Sequence, residues 1–399
     1  MRVAHYCQHV LGMGHLFRSL EIDRALAPHE VAFLTGGAPV EAALPGNVRE
    51  VRLPPLMMDE TFSTLLAGAG RGVEEVMEER RGALLAALEE LRPDVLLVEL
   101  FPFGRKRFGF ELLPALEAAR QGRFGPVKVA CSLRDILVEK ADQAKYEARV
   151  LGALNPHFDL LLVHADPALV RLEETFSRTA DIACPVAYTG YVAPRPAPED
   201  VERVRAGLAG RFPGAGPLIV ASAGGGKVGG DLLEAVVRAS LVLAGSVAHR
   251  LAVFTGPFAP AGERARLEVL SSGAAHVSVA PFTDHFPELL AAADLSVSMA
   301  GYNTTMNLLA GKTYGLVLPF AQNREQAMRA GRLAERGLLG LLEPGGLAPG
   351  PLAARLAAAL RRATSMREEK RNFPSASTIL LDGADTTARL LIQLAGERR

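Results

Sequence analysis

An alternation of short apolar segments with longer amphipathic ones, run through twice, constrains this chain more than any other feature. In the first half, residues 3–6, 31–34, 95–98, 127–132 and 160–164 are apolar runs of strand length. Residues 16–27, 73–91, 110–119 and 139–154 lie between them with helical spacing. Strands alternating with helices predict a mostly parallel sheet covered on both faces. The second half repeats the plan, with strands at 218–221, 251–255, 277–280, 295–298 and 315–318. Its helices fall at 232–244, 263–271, 286–292, 303–310 and 324–335, and a last amphipathic helix at 386–394. Between the halves stands a proline-dense linker, Ala193-Pro194-Arg195-Pro196-Ala197-Pro198. The expectation is an α/β protein with two doubly wound, Rossmann-like domains, residues 1–192 and 193–375, facing across a cleft. Residues 376–399 form a C-terminal helix that packs back toward the first domain. In such sheets ligands sit at the carboxyl ends of the strands.

Composition narrows the partners. A chain of 399 residues can bury two cores. Lys+Arg and Asp+Glu both total 44, which gives no support for general nucleic-acid binding. Cys7, Cys131 and Cys184 are widely spaced and odd in number, which argues against a disulfide framework and fits a reducing cytoplasm. The start has no apolar signal-peptide core, and no apolar run reaches the roughly 18 residues that span a bilayer. A soluble cytoplasmic protein is expected, with peripheral contact at the inner face of the membrane left open. His5, Cys7 and His9 share one face of a strand, but buried central strands carry such residues without a metal, so no metal site and no cofactor are expected.

Four constellations carry chemistry. In Ser298-Met299-Ala300-Gly301-Tyr302-Asn303-Thr304 a buried strand ends in a glycine turn and a helix starts. A helix start leaves N–H groups unpaired at the positive end of the dipole, which suits an anion. The next strand delivers Glu325-Gln326 to the same rim. Phosphate donors beside a carboxylate and a carboxamide suit a sugar linked to a diphosphate. Second, Gly224-Gly225-Gly226 follows the first strand of the second domain and exposes amides that no side chain blocks. Third, Gly12-Met13-Gly14-His15 follows the opening strand; the histidine suits proton transfer near neutral pH, and Phe17 in the third glycine position excludes a dinucleotide fingerprint. Fourth, Glu99 opens a loop in which Phe101 and Phe103 interleave with Arg105, Lys106 and Arg107, a grip for a phosphorylated or otherwise anionic acceptor, or a basic loop tucked down by its phenylalanines. Arg134 and Asp135 end the following strand and line the same wall. Phe282, on a loop after a strand, either stacks on a base or belongs to the core.

These residues resemble the GT-B glycosyltransferases, in the style of the peptidoglycan N-acetylglucosaminyltransferase with its family-28 C-terminal domain. The likeness is closer still to a group of bacterial predicted glycosyltransferases. The likeness runs through Gly12 to Arg18, Pro93-Asp94-Val95, Glu99 to Arg105, Leu133-Arg134-Asp135, His164 to Pro167, Thr189 to Val192, Gly224–Gly226, and Gly301 to Thr304 with Glu325-Gln326. It implies a nucleotide-sugar donor, UDP-linked, on the C-terminal domain. Gly224, Gly225, Gly226, Ser298, Gly301, Asn303 and Thr304 would hold the diphosphate, Glu325 and Gln326 the sugar, and Phe282 the base. Asn307 stands where relatives commonly carry a glutamate for the ribose. The N-terminal domain would take an unidentified acceptor beside Gly14, Phe101, Phe103, Arg105 and Arg134. The mechanism expected is inverting, metal-independent displacement, with His15 as base and Glu99 or Asp135 as alternatives. A sugar-nucleotide 2-epimerase and a non-catalytic sugar-nucleotide-binding protein are the competing readings of the same fold.

Overall fold

The structure, a computed structural model, describes residues 1–8, 14–37, 43–58, 64–67, 70–212, 216–368 and 379–397. The chain divides into two units, one formed by Met1–Val192 with Leu380–Arg399 and the other by Ala193–Ile379.

Unit one runs β1 (Arg2–Tyr6), α1 (Gly14–Ala25), β2 (Glu30–Thr35), β3 (Val48–Arg52), β4 (Leu56–Met58), β5 (Leu65–Ala67) and α2 (Val73–Leu91). It continues with β6 (Val95–Glu99), α3 (Gly109–Arg120), β7 (Lys128–Arg134), α4 (Gln143–His157), β8 (Leu160–His164) and β9 (Val186–Tyr188). Seven strands form one parallel sheet in the order β3-β2-β1-β6-β7-β8-β9, while β4 and β5 make a separate antiparallel pair. The central strands β6 and β8 are buried at every position because helices cover both faces, so they read as unbroken apolar runs. The edge strand β3, Val48-Arg49-Glu50-Val51-Arg52, is half polar, which hides it from an apolar-run reading.

Unit two holds α5 (Pro198–Ala209), β10 (Leu218–Ser222), α6 (Gly230–Leu243), β11 (Arg250–Phe254), α7 (Glu263–Leu270), β12 (Val277–Ala280) and α8 (Phe286–Ala292). Then come β13 (Leu295–Met299), α9 (Tyr302–Ala310), β14 (Gly315–Leu318), α10 (Arg324–Glu335), β15 (Gly340–Leu341) and α11 (Pro349–Glu368). Its six strands are parallel in the order β12-β11-β10-β13-β14-β15. Pro198 is the first helical residue of α5, where a missing N–H costs nothing, so the last proline of the linker starts a helix. The core packs α6 and α11 on one sheet face through Leu233, Val236, Val237, Leu352 and Leu356. Each such side chain contributes about 1.5–3 kcal/mol by leaving water.

The last helix, α12 (Gly383–Gly396), belongs to unit one and packs on α1 through Ala388, Leu391 and Leu394. Backbone bonds dock it: Tyr191 N donates to Leu380 O at 2.7 Å, and Gly383 N to Tyr191 O at 3.0 Å. The Asp166 carboxylate accepts from Leu380 N at 3.0 Å. The segments around Asp166 and Tyr191 therefore have a structural task. Among the described residues no helix is long and apolar enough to cross a membrane.

A wholly buried ion pair ties unit one's loops together. Arg80 on α2 donates to both Glu111 oxygens, at 2.9 and 2.6 Å, and Tyr6 Oη donates to the same carboxylate at 2.5 Å. The guanidinium also donates to Gly36 O, Pro54 O and Gln8 Oε1. Removing one partner of such a pair strands a buried charge. Arg80→Met is expected to destabilise the protein by about 3–5 kcal/mol in urea unfolding; a change under about 1 kcal/mol would show that the pair is not a structural hub.

Candidate functional site

In an open parallel sheet, crevices form where the strand order reverses. In unit one that point lies between β1 and β6; in unit two it lies between β10 and β13. The candidate residues gather at these two places.

At unit one's reversal, α1 carries His15 and Arg18 against the end of β6. His15 Nδ1 lies 2.7 Å from Glu99 Oε1, and Arg18 Nη2 donates to the same oxygen at 2.5 Å. A carboxylate at that distance selects the tautomer with the proton on Nδ1, leaving Nε2 as an acceptor with no bond among the described residues. The His15 side chain keeps 20% of its surface exposed, whereas Glu99 is wholly buried. Burial holds the His15 imidazole down to about 4, against the upward pull of Glu99, so it is neutral at pH 7. Burial pushes the Glu99 carboxyl up, yet His15, Arg18 and Arg105 outweigh it and hold the group well below the usual carboxylate range.

This corrects the expectation that Glu99 is an alternative base: with no exposed surface it meets His15, not a dissolved hydroxyl. Asp135 is likewise wholly buried, and its side chain is out of reach as a first proton acceptor. Phe101 and Phe103 are corrected too. Each is 3% exposed, and Phe103 packs edge-on against Phe176 at 5.2 Å, so they hold the loop down and do not grip a ligand. Arg105 and Arg134 remain half-buried at the strand ends and Gly14 is exposed, while Gly12, Met13 and His9 lie outside the described residues. Sequence reading missed Arg18 as part of this site; its spacing three residues after His15 puts both on one helix face. Ser132 Oγ, His164 and Thr189 Oγ1 form a second buried chain nearby, at 2.8 and 2.9 Å, and burial lowers His164 to about 3.

At unit two's reversal the glycine loop and the α9 start lie on either side. Gly224, Gly226 and Gly229 have φ of 64°, 89° and 102°, which other residues adopt only at a cost. Packing demands Gly226, and Gly256 in the loop after β11. A Cβ on Gly226 would collide with Thr255 O, and one on Gly256 would lie 2.5 Å from Gly224 O. Gly224 N donates to Ser222 Oγ at 3.0 Å and Gly226 N to Ala223 O at 3.3 Å, so these two amides are engaged internally. Their expected role as free phosphate donors is corrected on that ground. Gly225 differs: its N–H makes no bond among the described residues, and only Phe258 approaches the place of a Cβ, at 3.8 Å.

Helix α9 opens at Tyr302, directly after Gly301. Its first backbone bond runs from Thr305 N to Gly301 O at 3.0 Å, and the Gly301 and Thr304 amides donate to no described group. Asn303 is half-buried, and Asn307, one turn on, is 8% exposed. Ser298 is 1% exposed at the carboxyl end of β13, and its Oγ is buried with no hydrogen-bond partner among the described residues. Glu325 and Gln326 open α10. Gln326 Oε1 accepts from Phe320 N at 3.1 Å, which fixes the loop after β14. Arg329 is wholly buried, its guanidinium 5.1 Å from the Tyr302 ring, and this stacks α10 on the first turn of α9. Phe282 is 38% exposed and therefore not a core aromatic. Among the described residues no three His, Cys, Asp or Glu side chains come together to hold a metal ion.

Comparison with known proteins gives this geometry a class. Residues 225–384 match the glycosyltransferase family 28 C-terminal domain. Nearly the whole chain superposes on solved glycosyltransferases. MurG of Acinetobacter baumannii is 15% identical, with a TM-score of 0.57 over 98% of this chain and 99% of its own. A UDP-glucosyltransferase of Polygonum tinctorium is 13% identical, with a TM-score of 0.60 over 100% and 99% of the two chains. A Siraitia grosvenorii UGT transferase, solved with UDP, is 14% identical, with a TM-score of 0.58 over 99% and 100%. No curated protein sequence matches. The architecture is that of the GT-B glycosyltransferases, and the C-terminal domain is similar to that of family 28.

The His15 environment has a measurable signature. Because the native imidazole binds its proton only near pH 4 while an unfolded one binds it near 6.5, the unfolded state holds more protons between these values. The His15 contribution to stability is therefore complete above about pH 6.5 and is lost as pH falls toward 4. Imidazole NMR titration is expected to show His15 neutral at pH 6 with Nδ1 protonated, and Glu99→Gln should lower its pKa further. A midpoint above 6 would contradict the assigned environment.

Proposed function

We propose that the protein transfers a sugar from a UDP-linked donor to a hydroxyl-bearing acceptor, by direct displacement with inversion. The family-28 match and the unbonded amides of Gly225, Gly301 and Thr304 support a diphosphate on unit two. Dipole and N–H groups there take up charge as the diphosphate leaves, which is how a preorganised site lowers a barrier. Glu325 and the Gln326 carboxamide bind sugar hydroxyls, Asn303 and Asn307 lie on the ribose side, and Phe282 stacks on the base.

The observation that carries the transfer step is the His15–Glu99 contact. A neutral imidazole, oriented through Nδ1 by a buried carboxylate, presents Nε2 to take the acceptor proton as the bond to the sugar carbon forms. Glu99 then stabilises the imidazolium, and Arg18 keeps the carboxylate in place. This reading supersedes the three-way choice among His15, Glu99 and Asp135. The GT-B relatives solved with UDP favour that nucleotide for the donor.

Two measurements test it. A screen of nucleotide sugars should raise the melting temperature with a UDP-sugar, since a ligand at 100 times its Kd adds about 2.7 kcal/mol. No shift with any nucleotide sugar would overturn the donor assignment. His15→Ala should keep donor affinity within about threefold while lowering turnover, read as UDP release, by about 10²–10⁴. Unchanged turnover would remove His15 from the mechanism.

A further inference from the structure

Three loops leave the carboxyl ends of the neighbouring strands β10, β11 and β12, and backbone bonds join them in series. Phe258 N, in the loop after β11, donates to Gly225 O at 2.9 Å, and Gly256 N, at the start of the same loop, donates to Pro281 O at 2.8 Å. Beneath them Ala223 N donates to Phe254 O at 3.3 Å and Thr255 N to Ala280 O at 3.1 Å, so the sheet's ladder continues into the loops. Gly256 has φ 93°, and a Cβ there would lie 2.5 Å from Gly224 O and 2.6 Å from the Gly225 carbonyl carbon. The middle loop is thus held from both sides by main-chain contacts, and its side chains project from a fixed base.

Phe258 is the residue this arrangement presents. Its Cδ2 would lie 3.8 Å from a Cβ on Gly225, so the ring runs alongside the glycine whose amide donates to no described group. Yet 41% of Phe258 is exposed. Phe282, next to the Pro281 carbonyl that receives the Gly256 bond, is 38% exposed. Every other described phenylalanine is buried or half-buried. Neither ring makes an aromatic contact among the described residues, whereas Phe254 and Phe286 close by pair edge-on at 6.2 Å. Single exposed apolar side chains are ordinary on a protein surface. Two exposed rings confined to adjoining loops, bonded to each other and to the Gly225 loop, are not scattered. A phenyl ring offers a ligand a π-face and no hydrogen bond, so it suits a planar base better than a hydroxyl-rich sugar or a diphosphate.

We infer that Phe258 is a second stacking residue for the base of the nucleotide donor, acting together with Phe282. The inference rests on the reading of unit two as the donor domain and adds a residue to its specificity. One nucleotide would then run from its base, on the loops after β11 and β12, to its diphosphate at the Gly225 amide and the start of α9. The glycines at 224, 226 and 256 acquire a further task on this reading: they let the loop that carries Phe258 lie close enough to place the ring beside Gly225.

Calorimetric titration of UDP into the full-length protein tests the role. Phe258→Ala should weaken UDP by about tenfold or more, and Phe258→Tyr, which keeps the ring, by no more than about threefold. Equal UDP affinity in wild type and Phe258→Ala overturns the inference. Hydrogen exchange at saturating UDP separates stacking from a merely structural role. The Gly301 and Thr304 amides should be protected equally in wild type and Phe258→Ala; loss of that protection in the variant would assign Phe258 to loop structure and overturn the stacking role. The chain has no tryptophan, so the emission of Phe258→Trp reports on this position alone. Saturating UDP is expected to quench it, and unchanged emission counts against the inference. If UDP fails to bind wild type, the donor reading falls and the stacking role with it; binding that is indifferent to position 258 removes the stacking role alone.

Discussion

Glu99 is a carboxylate with no access to water, held ionised by His15 and Arg18, which both reach one of its oxygens, and by the charge of Arg105. Burying such a group costs several kcal/mol unless its partners are well placed, so the arrangement ties three elements to a single geometry. It fixes the end of β6, the first turn of α1 and the tautomer of the histidine. Further along α1, Asp23 meets His5 of β1 at 2.6 Å, again wholly buried. The helix that carries His15 is therefore pinned to its sheet by polar contacts toward both ends, and the imidazole inherits that rigidity. An imidazole held this way is preorganised.

Unit two reaches a similar rigidity by close backbone packing. Gly226 and Gly256 interlock the loops after β10 and β11 so tightly that no side chain fits between them. The outcome is that the Gly225 amide, like those of Gly301 and Thr304 at the start of α9, donates to no described group, while Gln326 spends its oxygen on holding the neighbouring loop. Arg329, beneath Tyr302, keeps α10 and α9 in register. Both units thus place their distinctive residues where strand order reverses, which is where a parallel sheet leaves room for a ligand.

Much of this was legible in the sequence. The buried central strands and the helices between them announced themselves by period, since a doubly covered strand is apolar throughout. Strands β3 and β9 did not, because edge positions tolerate Arg49 and Glu50, or run to only three residues. Helix α11 went unread, its alanines giving little amphipathic contrast beside Pro349 and Gly350. At the site, His15 and the α9 start were visible because a helix opening after a parallel strand has a fixed chemical meaning. The division of labour within the glycine run was not, since it depends on the bonds of Gly224 to Ser222 and of Gly226 to Ala223 and on the packing of Gly226 against Thr255, none of which the run itself displays. Phe103 likewise looked like a ligand contact until Phe176 supplied the ring that packs against it.

The central claim is that unit two holds a diphosphate through particular backbone amides. Hydrogen exchange read residue by residue, with and without a UDP-sugar, tests it most directly. The amides of Gly225, Gly301 and Thr304 should become strongly protected on ligand addition, while those of Gly224 and Gly226, already bonded, change little. Binding that leaves the first three unprotected, or protects only residues away from the ends of β10 and β13, would contradict the account.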